Sequence, residues 1–285
     1  MKRWDDYKFR CSSLGHIMTD GRGTQITELQ LTELSALLEK IKLTDKQAAR
    51  RDELIGKRDA KPELSSGAKT YLRTIWKEET FQIRSEISSK YTEKGNLVED
   101  ESISFASQYF GWGLLEGFGA ECKNRLTNDF ITGEPDVNWD PTKVLADVKS
   151  SWDLLTFPMF EKDLPNPDYD WQGKGYLYLS GKSVFQLVYC LMDTPEHLIN
   201  DAIRKEEYKQ NVIELSAEDE KEIRWRMTFS HLEPAQRMRI WKIAALESDF
   251  RKIDERVLMA RDYLNNLDGA YIKITEEVKS QFTNF

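Results

Sequence analysis

Gly133-Glu134-Pro135-Asp136-Val137-Asn138-Trp139-Asp140-Pro141-Thr142-Lys143-Val144-Leu145-Ala146-Asp147-Val148-Lys149 is the stretch that decides the fold. It follows an apolar run, Phe130-Ile131-Thr132, and Pro135 removes a backbone donor and stiffens the approach to Asp136. Residues 144–149 are short and rich in β-branched side chains, which predicts a strand. Strand side chains alternate between faces, so Asp147 and Lys149 point one way and Val148 points into the core. Asn138-Trp139-Asp140-Pro141-Thr142 is a turn by composition. The resulting hairpin brings Asp136 beside Asp147 and Lys149. Two carboxylates and an ammonium on one spot are expensive to desolvate without a purpose. A divalent cation bound by hard oxygen ligands, next to a lysine, supplies one.

Outward from this hairpin, 285 residues make one large domain or a domain with helical additions, ample for a buried core. With 40% hydrophobic and 32% charged residues, the composition suits a soluble protein with long exposed helices. Cys11, Cys122 and Cys190 are odd in number and far apart, so they give neither a disulfide framework nor a CxxC metal site and read as small buried hydrophobes. The N-terminus has no apolar segment of signal-peptide type, and the apolar run 184–192 is too short to span a bilayer. A reducing, cytoplasmic compartment follows. The net charge of −8 argues against a general polyanion binder, although a local basic surface suffices for nucleic acid. Residues 40–61 have a basic bias that fits either a solvated helix pair of mixed charge or a DNA-facing surface.

Taken in order, Ser12 or Ser13 is placed to cap a short helix. Leucines spaced through 27–41 predict an amphipathic helix, and Thr44-Asp45 caps a second helix to about Arg58. Ser65-Ser66 opens another, with Leu72, Ile75 and Trp76 buried, expected to continue through Phe81, Ile83 and Ile87. Gly95 is expected to break the chain before a new helix, with Glu99 in its early turns, where a carboxylate suits the dipole and by itself implies no function. The glycine-rich 111–119 lacks phosphate-loop spacing and reads as loop or close packing. Residues 120–126, 128–137 and 184–192 read as strands. A helix is expected from Trp171 to near Gly181, with Gln172 and Tyr176 on one face and Gly173 and Gly175 where other backbone or a ligand comes close. From Pro195 the pattern is helical: 195–208, then a helix capped at Ser216, then a long one starting at Pro234 and reaching about Leu267.

The order Gly95-x-x-x-Glu99, Glu134-Pro135-Asp136, Asp147-Val148-Lys149, Gln172-Gly173-Lys174-Gly175-Tyr176 resembles the PD-(D/E)XK nuclease superfamily, in its RecB-like and lambda-exonuclease-like (YqaJ-type) phage branches. Each motif alone is weak; four in order, each on a suitable element, are much stronger. The resemblance covers roughly residues 90–192. It implies an α/β (α+β) fold: a mixed central β-sheet of restriction-endonuclease-like type flanked by helices. The expected organisation is a nuclease core over 1–195, including a helical hairpin at about 27–60, and a helical C-terminal extension over 196–285 packed on it.

The resemblance also implies roles. Asp136, Asp147, the Val148 carbonyl and Glu99 would hold Mg²⁺ or Mn²⁺. Lys149 would orient the attacking water, Gln172 would position Lys149 or the DNA backbone, and Tyr176 would contact the scissile strand or support the site. Arg10-x-x-Ser13 resembles the segment such exonucleases use near a 5′ phosphate, and reads equally as a helix cap beside a surface Arg. The cysteines exclude the iron–sulfur cluster of some RecB-like relatives. The function implied is a metal-dependent exonuclease of phage or prophage type, acting in the bacterial host cytoplasm on double-stranded DNA with free ends. A single-strand annealing protein and a second copy of the chain are the implied partners, with no membrane association. An endonuclease or repair nuclease on the same fold is the alternative. A non-catalytic DNA- or protein-binding module is another, although it has no need of so costly a cluster.

Overall fold

Caps decide where the first helices begin. In the computed structural model, which describes residues 3–21, 26–84, 90–113 and 123–282, Thr27 and Thr44 each close a capping box, with Gln30 and Gln47 returning the bond. They start α2 (Glu28–Leu38) and α3 (Asp45–Asp59), as their sequences predict. The chain divides into two units, and these helices belong to the first, made of residues 1–7, 13–84 and 252–285. Leu34, Leu37 and Leu54 form the buried seam of the pair. Leu29, Leu31, Leu38 and Ile41 of the expected apolar stripe are exposed, because a two-helix hairpin buries only the side facing its partner.

The same unit holds α1 (Gly15–Met18) and α4 (Ser66–Phe81). Neither Ser12 nor Ser13 caps α1; Leu14 occupies that position with no side-chain bond. Ser65 caps α4 and Leu72, Ile75 and Trp76 are buried, as expected, but Gln82 turns left-handed and ends the helix, so Ile83 lies outside it. Ile87, Cys122, the 114–119 part of the glycine-rich segment and the 120–122 part of the expected strand lie outside the described residues.

The second unit, residues 8–12 and 85–251, contains every strand among the described residues. β1 (Phe9–Arg10), β3 (Ile131–Gly133) and β2 (Leu126–Thr127) form one sheet in that order, β1 parallel and β2 antiparallel to β3. β4 (Val137–Trp139), β5 (Val144–Ser150), β6 (Phe185–Cys190) and β7 (Met238–Ile243) form the other, with a parallel β5–β6 pair at its centre. The mixed α/β class is therefore as the sequence implied, with the strands in two hydrogen-bonded sets.

Helices cover both faces of the larger sheet. α6 (Glu99–Phe110) buries Ile103 and Ala106 against Val144, Ala146, Val148 and Val188. α7 (Asp168–Ser180) lies on the other face and begins three residues earlier than expected. Gly173 admits the contact: a Cβ there would stand 2.6 Å from the Phe185 ring and 3.0 Å from Ile243.

Two expectations fail locally. Gly95 does not break the chain but sits inside α5 (Lys90–Leu97), and the break falls at Val98. Pro234 starts only a 3-10 turn, and β7 follows where a long helix was expected. Met238, Ile240, Trp241 and Ile243 serve a strand packed on both faces, so their spacing mimics a helical stripe. α8 (Glu196–Gln210) and α9 (Ala217–Met227, capped by Ser216) match their expected extents. The long helix is α10 (Glu247–Phe282), whose first residues belong to this unit and the rest to the other.

Candidate active site

The β4–β5 hairpin is paired Val137 to Ala146, so Asp136 stands just beyond β4, opposite Asp147. Its Oδ2 accepts the Val148 N–H at 2.7 Å. Asp147 and Lys149 share one face of β5 and form an ion pair, while Val148 enters the core. Asp147 is 2% exposed, so that pair has little solvent on the carboxylate side. The expected hairpin cluster is thus present in full.

Electrostatics follow from this crowding. Burial, then the charge of Asp147, push the Asp136 carboxyl up to about 7, against the pull of Lys149 and the Val148 N–H. Burial pulls the Lys149 ammonium down, but Asp147 and Asp136 outweigh it and hold its pKa above the usual lysine value. The ammonium also lies 5.8 Å from the centre of the Tyr169 ring, a neighbour the sequence reading did not include.

α7 supplies the next layer. Gln172 and Tyr176 are buried on one helix face, and the Gln172 amide donates to the Tyr176 hydroxyl at 3.4 Å. That hydroxyl donates to the Glu134 carbonyl at 3.3 Å. Burial and the nearby Asp147 charge hold the Tyr176 phenol above its usual range, so it remains a donor. Gly133 makes room for this ring: a Cβ would lie 2.6 Å from Tyr176 Cε1 and 2.8 Å from Cys11 Sγ. Gln172 and Tyr176 therefore fix the Glu134-Pro135-Asp136 turn through its backbone.

Glu99, at the start of α6, is close enough to raise Asp136 electrostatically, but its carboxylate is engaged by Lys123. Arg125 is paired with Glu134 at 2.9 Å. The sequence reading missed both cations. For Arg125 a signal was present: a turn at Asn128, whose side chain accepts the Phe130 and Ile131 N–H groups, pairs Leu126 with Gly133 and so sets Arg125 beside Glu134. Arg10 is exposed on β1, in register with Thr132, whereas Ser13 ends the 3-10 turn after it and belongs to the first unit. Cys11 and Cys190 are buried free thiols, as expected.

The donor set suits a small hard cation. Asp147 is a buried oxygen donor and Asp136 a largely enclosed one, the Val148 carbonyl follows Asp147 directly, and burial together with the Asp147 charge raises the Asp136 carboxyl to about 7, a shift that a cation would relieve. Among the described residues no group of three or more His, Cys, Asp and Glu side chains is gathered for a metal, consistent with Glu99 being taken by Lys123.

The fold has a counterpart among solved structures. A phage-related exonuclease from Haemophilus somnus 129PT superposes with a TM-score of 0.63 over 93% of this chain and 97% of that one, at 24% identity. This chain shares the fold of that exonuclease. The resemblance drawn from the motifs is borne out at the level of fold. An alkaline exonuclease from Laribacter hongkongensis, LHK-Exo, matches over 98% of both chains at 10% identity and a TM-score of 0.49, and its complex with dAMP matches over 96% and 98% at 10% and 0.45. No family model and no curated protein matches the sequence. No helix among the described residues is long and apolar enough to cross a membrane.

Proposed function

We propose that this chain is a metal-dependent exonuclease that hydrolyses phosphodiester bonds of double-stranded DNA from free ends, in phage or prophage recombination or end processing. The observation that carries the reading is the Asp136–Asp147–Lys149 cluster on one hairpin, centred on buried Asp147. The fold shared with a phage-related exonuclease supports it.

Asp136, Asp147 and the Val148 carbonyl would hold Mg²⁺ or Mn²⁺, with Glu99 available once released from Lys123. Such an ion supplies charge neutralisation at the phosphate and a more acidic bound water. Lys149 remains an ammonium beside Asp147. It therefore acts as a fixed positive charge that orients the attacking water and offsets charge building on phosphate oxygens. Tyr176 and Gln172 hold the turn bearing Asp136, which keeps the two carboxylates in place during in-line attack.

Digestion of end-labelled linear duplex and of closed circular duplex, in Mg²⁺ and in EDTA, tests this. The expected result is loss of linear DNA from its ends in Mg²⁺ only, an intact circle, and no cleavage by Asp147→Ala. Cutting of the circle would replace the exonuclease with an endonuclease on the same fold. Undiminished cleavage by the variant would remove the site from the reaction.

A further inference from the structure

Two cations outside the motifs are tied to two acids within them. Lys123 engages Glu99 and stands 3.8 Å from Asp100, and Arg125 binds Glu134 at 2.9 Å. Both lie on the segment leading into β2, which runs antiparallel to the strand that delivers Glu134 and Asp136. We infer that Lys123 and Arg125 are phosphate-binding residues for the DNA backbone, with the Glu99 and Glu134 carboxylates standing in for phosphate oxygens in the free protein.

The pairs suit exchange. The Arg125 side chain is 63% exposed and that of its partner Glu134 38%, so phosphate can reach the guanidinium without unfolding anything. Exposed carboxylate pairs of this kind are weak and screened by salt, whereas an arginine fork on phosphate is bidentate and gains from release of condensed counterions. Lys123 is more enclosed, with its side chain 28% exposed. Its ammonium already senses Asp136 as well as Glu99 and Asp100, which places it at the edge of the reaction centre. Transfer of Lys123 to a phosphate frees Glu99 for the role the motif order gives it. Lys8, just before β1, is bonded to the Thr127 hydroxyl at 3.3 Å, and Arg10 is exposed on β1, so further cations lie at and beside this sheet. The net charge of −8 makes such a local concentration the means by which this chain would hold a polyanion.

This inference rests on DNA being the substrate, and its test separates the two. Anisotropy of a labelled duplex is titrated with the full chain in EDTA over a range of salt, for the parent, Lys123→Ala, Arg125→Ala, the double variant and Lys123→Arg. Each alanine should reduce the slope of log affinity against log salt by about 0.9, the double variant by about twice that, and Lys123→Arg should restore it. A purely structural role would leave the slope unchanged. Unchanged slopes in a parent that cuts DNA in Mg²⁺ would overturn this inference alone. A parent that binds duplex with the expected slopes but never cuts would overturn the nuclease reading alone. A parent without affinity for duplex would overturn both.

Discussion

The chain contains two charged hairpins that use the same side chains to opposite ends. On α2–α3, Arg50 forks onto Glu33 at 3.0 and 2.9 Å and reaches Glu53 at 2.9 Å, Lys57 binds Glu53 at 2.7 Å, and Arg51 and Arg58 pair with the adjacent Asp52 and Asp59. All of these charges stand in or near solvent. On β4–β5, Asp136 and the partly exposed Lys149 meet at Asp147, which is 2% exposed, and the Asp136 carboxyl is displaced to about 7. Charge density therefore does not mark a site; charge that cannot be hydrated does, because its desolvation must be offset by a partner or a ligand. The arginines of the 40–61 stretch and Lys57 are therefore neutralised by acids on their own helix surfaces, which weakens the DNA-facing alternative for those four cations.

The sharpest way to break the contrast is Lys149→Met. Removing the cation leaves Asp147 buried with no counter-charge, which costs about 3 kcal/mol of stability and on the order of 10³-fold in cleavage through lost electrostatic stabilisation. Urea unfolding and single-turnover digestion measure the two. A loss below about 1 kcal/mol, the level of exposed pairs, would show that the β4–β5 charges are solvated after all.

A second buried cation extends the comparison to pH. Lys94 is 1% exposed, donates to the Trp152 carbonyl at 2.7 Å and lies over the Trp152 and Phe229 rings. Burial lowers its pKa to about 8, although Asp193 and Asp153 oppose the shift. Below that pH both folded and unfolded chains hold the proton. Between about 8 and 10.5 the unfolded chain still holds a proton that the folded chain has released, so stability rises with pH. The Lys94 contribution is about 2 kcal/mol between pH 8 and about 9.5; the buried Cys11 and Cys190 thiols, pushed up to about 12, act in the opposite sense over the same range, so the gain is read as the difference in slope between the parent and a Lys94 variant. Lys94→Met should lose this slope, whatever its absolute stability, in urea melts at several pH values. An unaltered slope would assign it to another group.

The contrast also explains what could be read in advance. The β4–β5 hairpin was legible because a period of two, a turn and one proline act locally: they alone set Asp136 against Asp147 and Lys149. Gln172 with Tyr176 was legible for the same reason, an i,i+4 spacing on one helix. Thr44 and Ser65 were legible as caps, since a cap needs only the next three residues. What escaped depends on partners distant in sequence. β7 exists because β6 offers an open edge, and apolar residues on both its faces imitate a helix. Leu29 and Ile41 were expected in a core that the α2–α3 pair does not provide. The engagement of Glu99 by Lys123 joins residues 24 positions apart and has no local signature.

The smallest expected effect lies on the self-neutralised surface. Arg50→Ala removes contacts with both Glu33 and Glu53, leaving those acids in solvent rather than buried. Hydrogen bonds to Arg50, more than any other cause, hold the Glu33 carboxyl below the usual range, and Glu53 is lowered first by Lys57 and then by Arg50. Hydration replaces most of what each acid loses. The melting temperature should therefore fall slightly at low salt, and the difference should vanish as added salt shortens the screening length. Because Arg50 is already satisfied on its own surface, the salt slope of DNA binding should match that of the parent, unlike the slopes of Lys123→Ala and Arg125→Ala. A reduced slope for Arg50→Ala would return the 40–61 surface to the DNA and dissolve the distinction between the two hairpins; an equal one would confine the electrostatic footprint to the strands around Glu134.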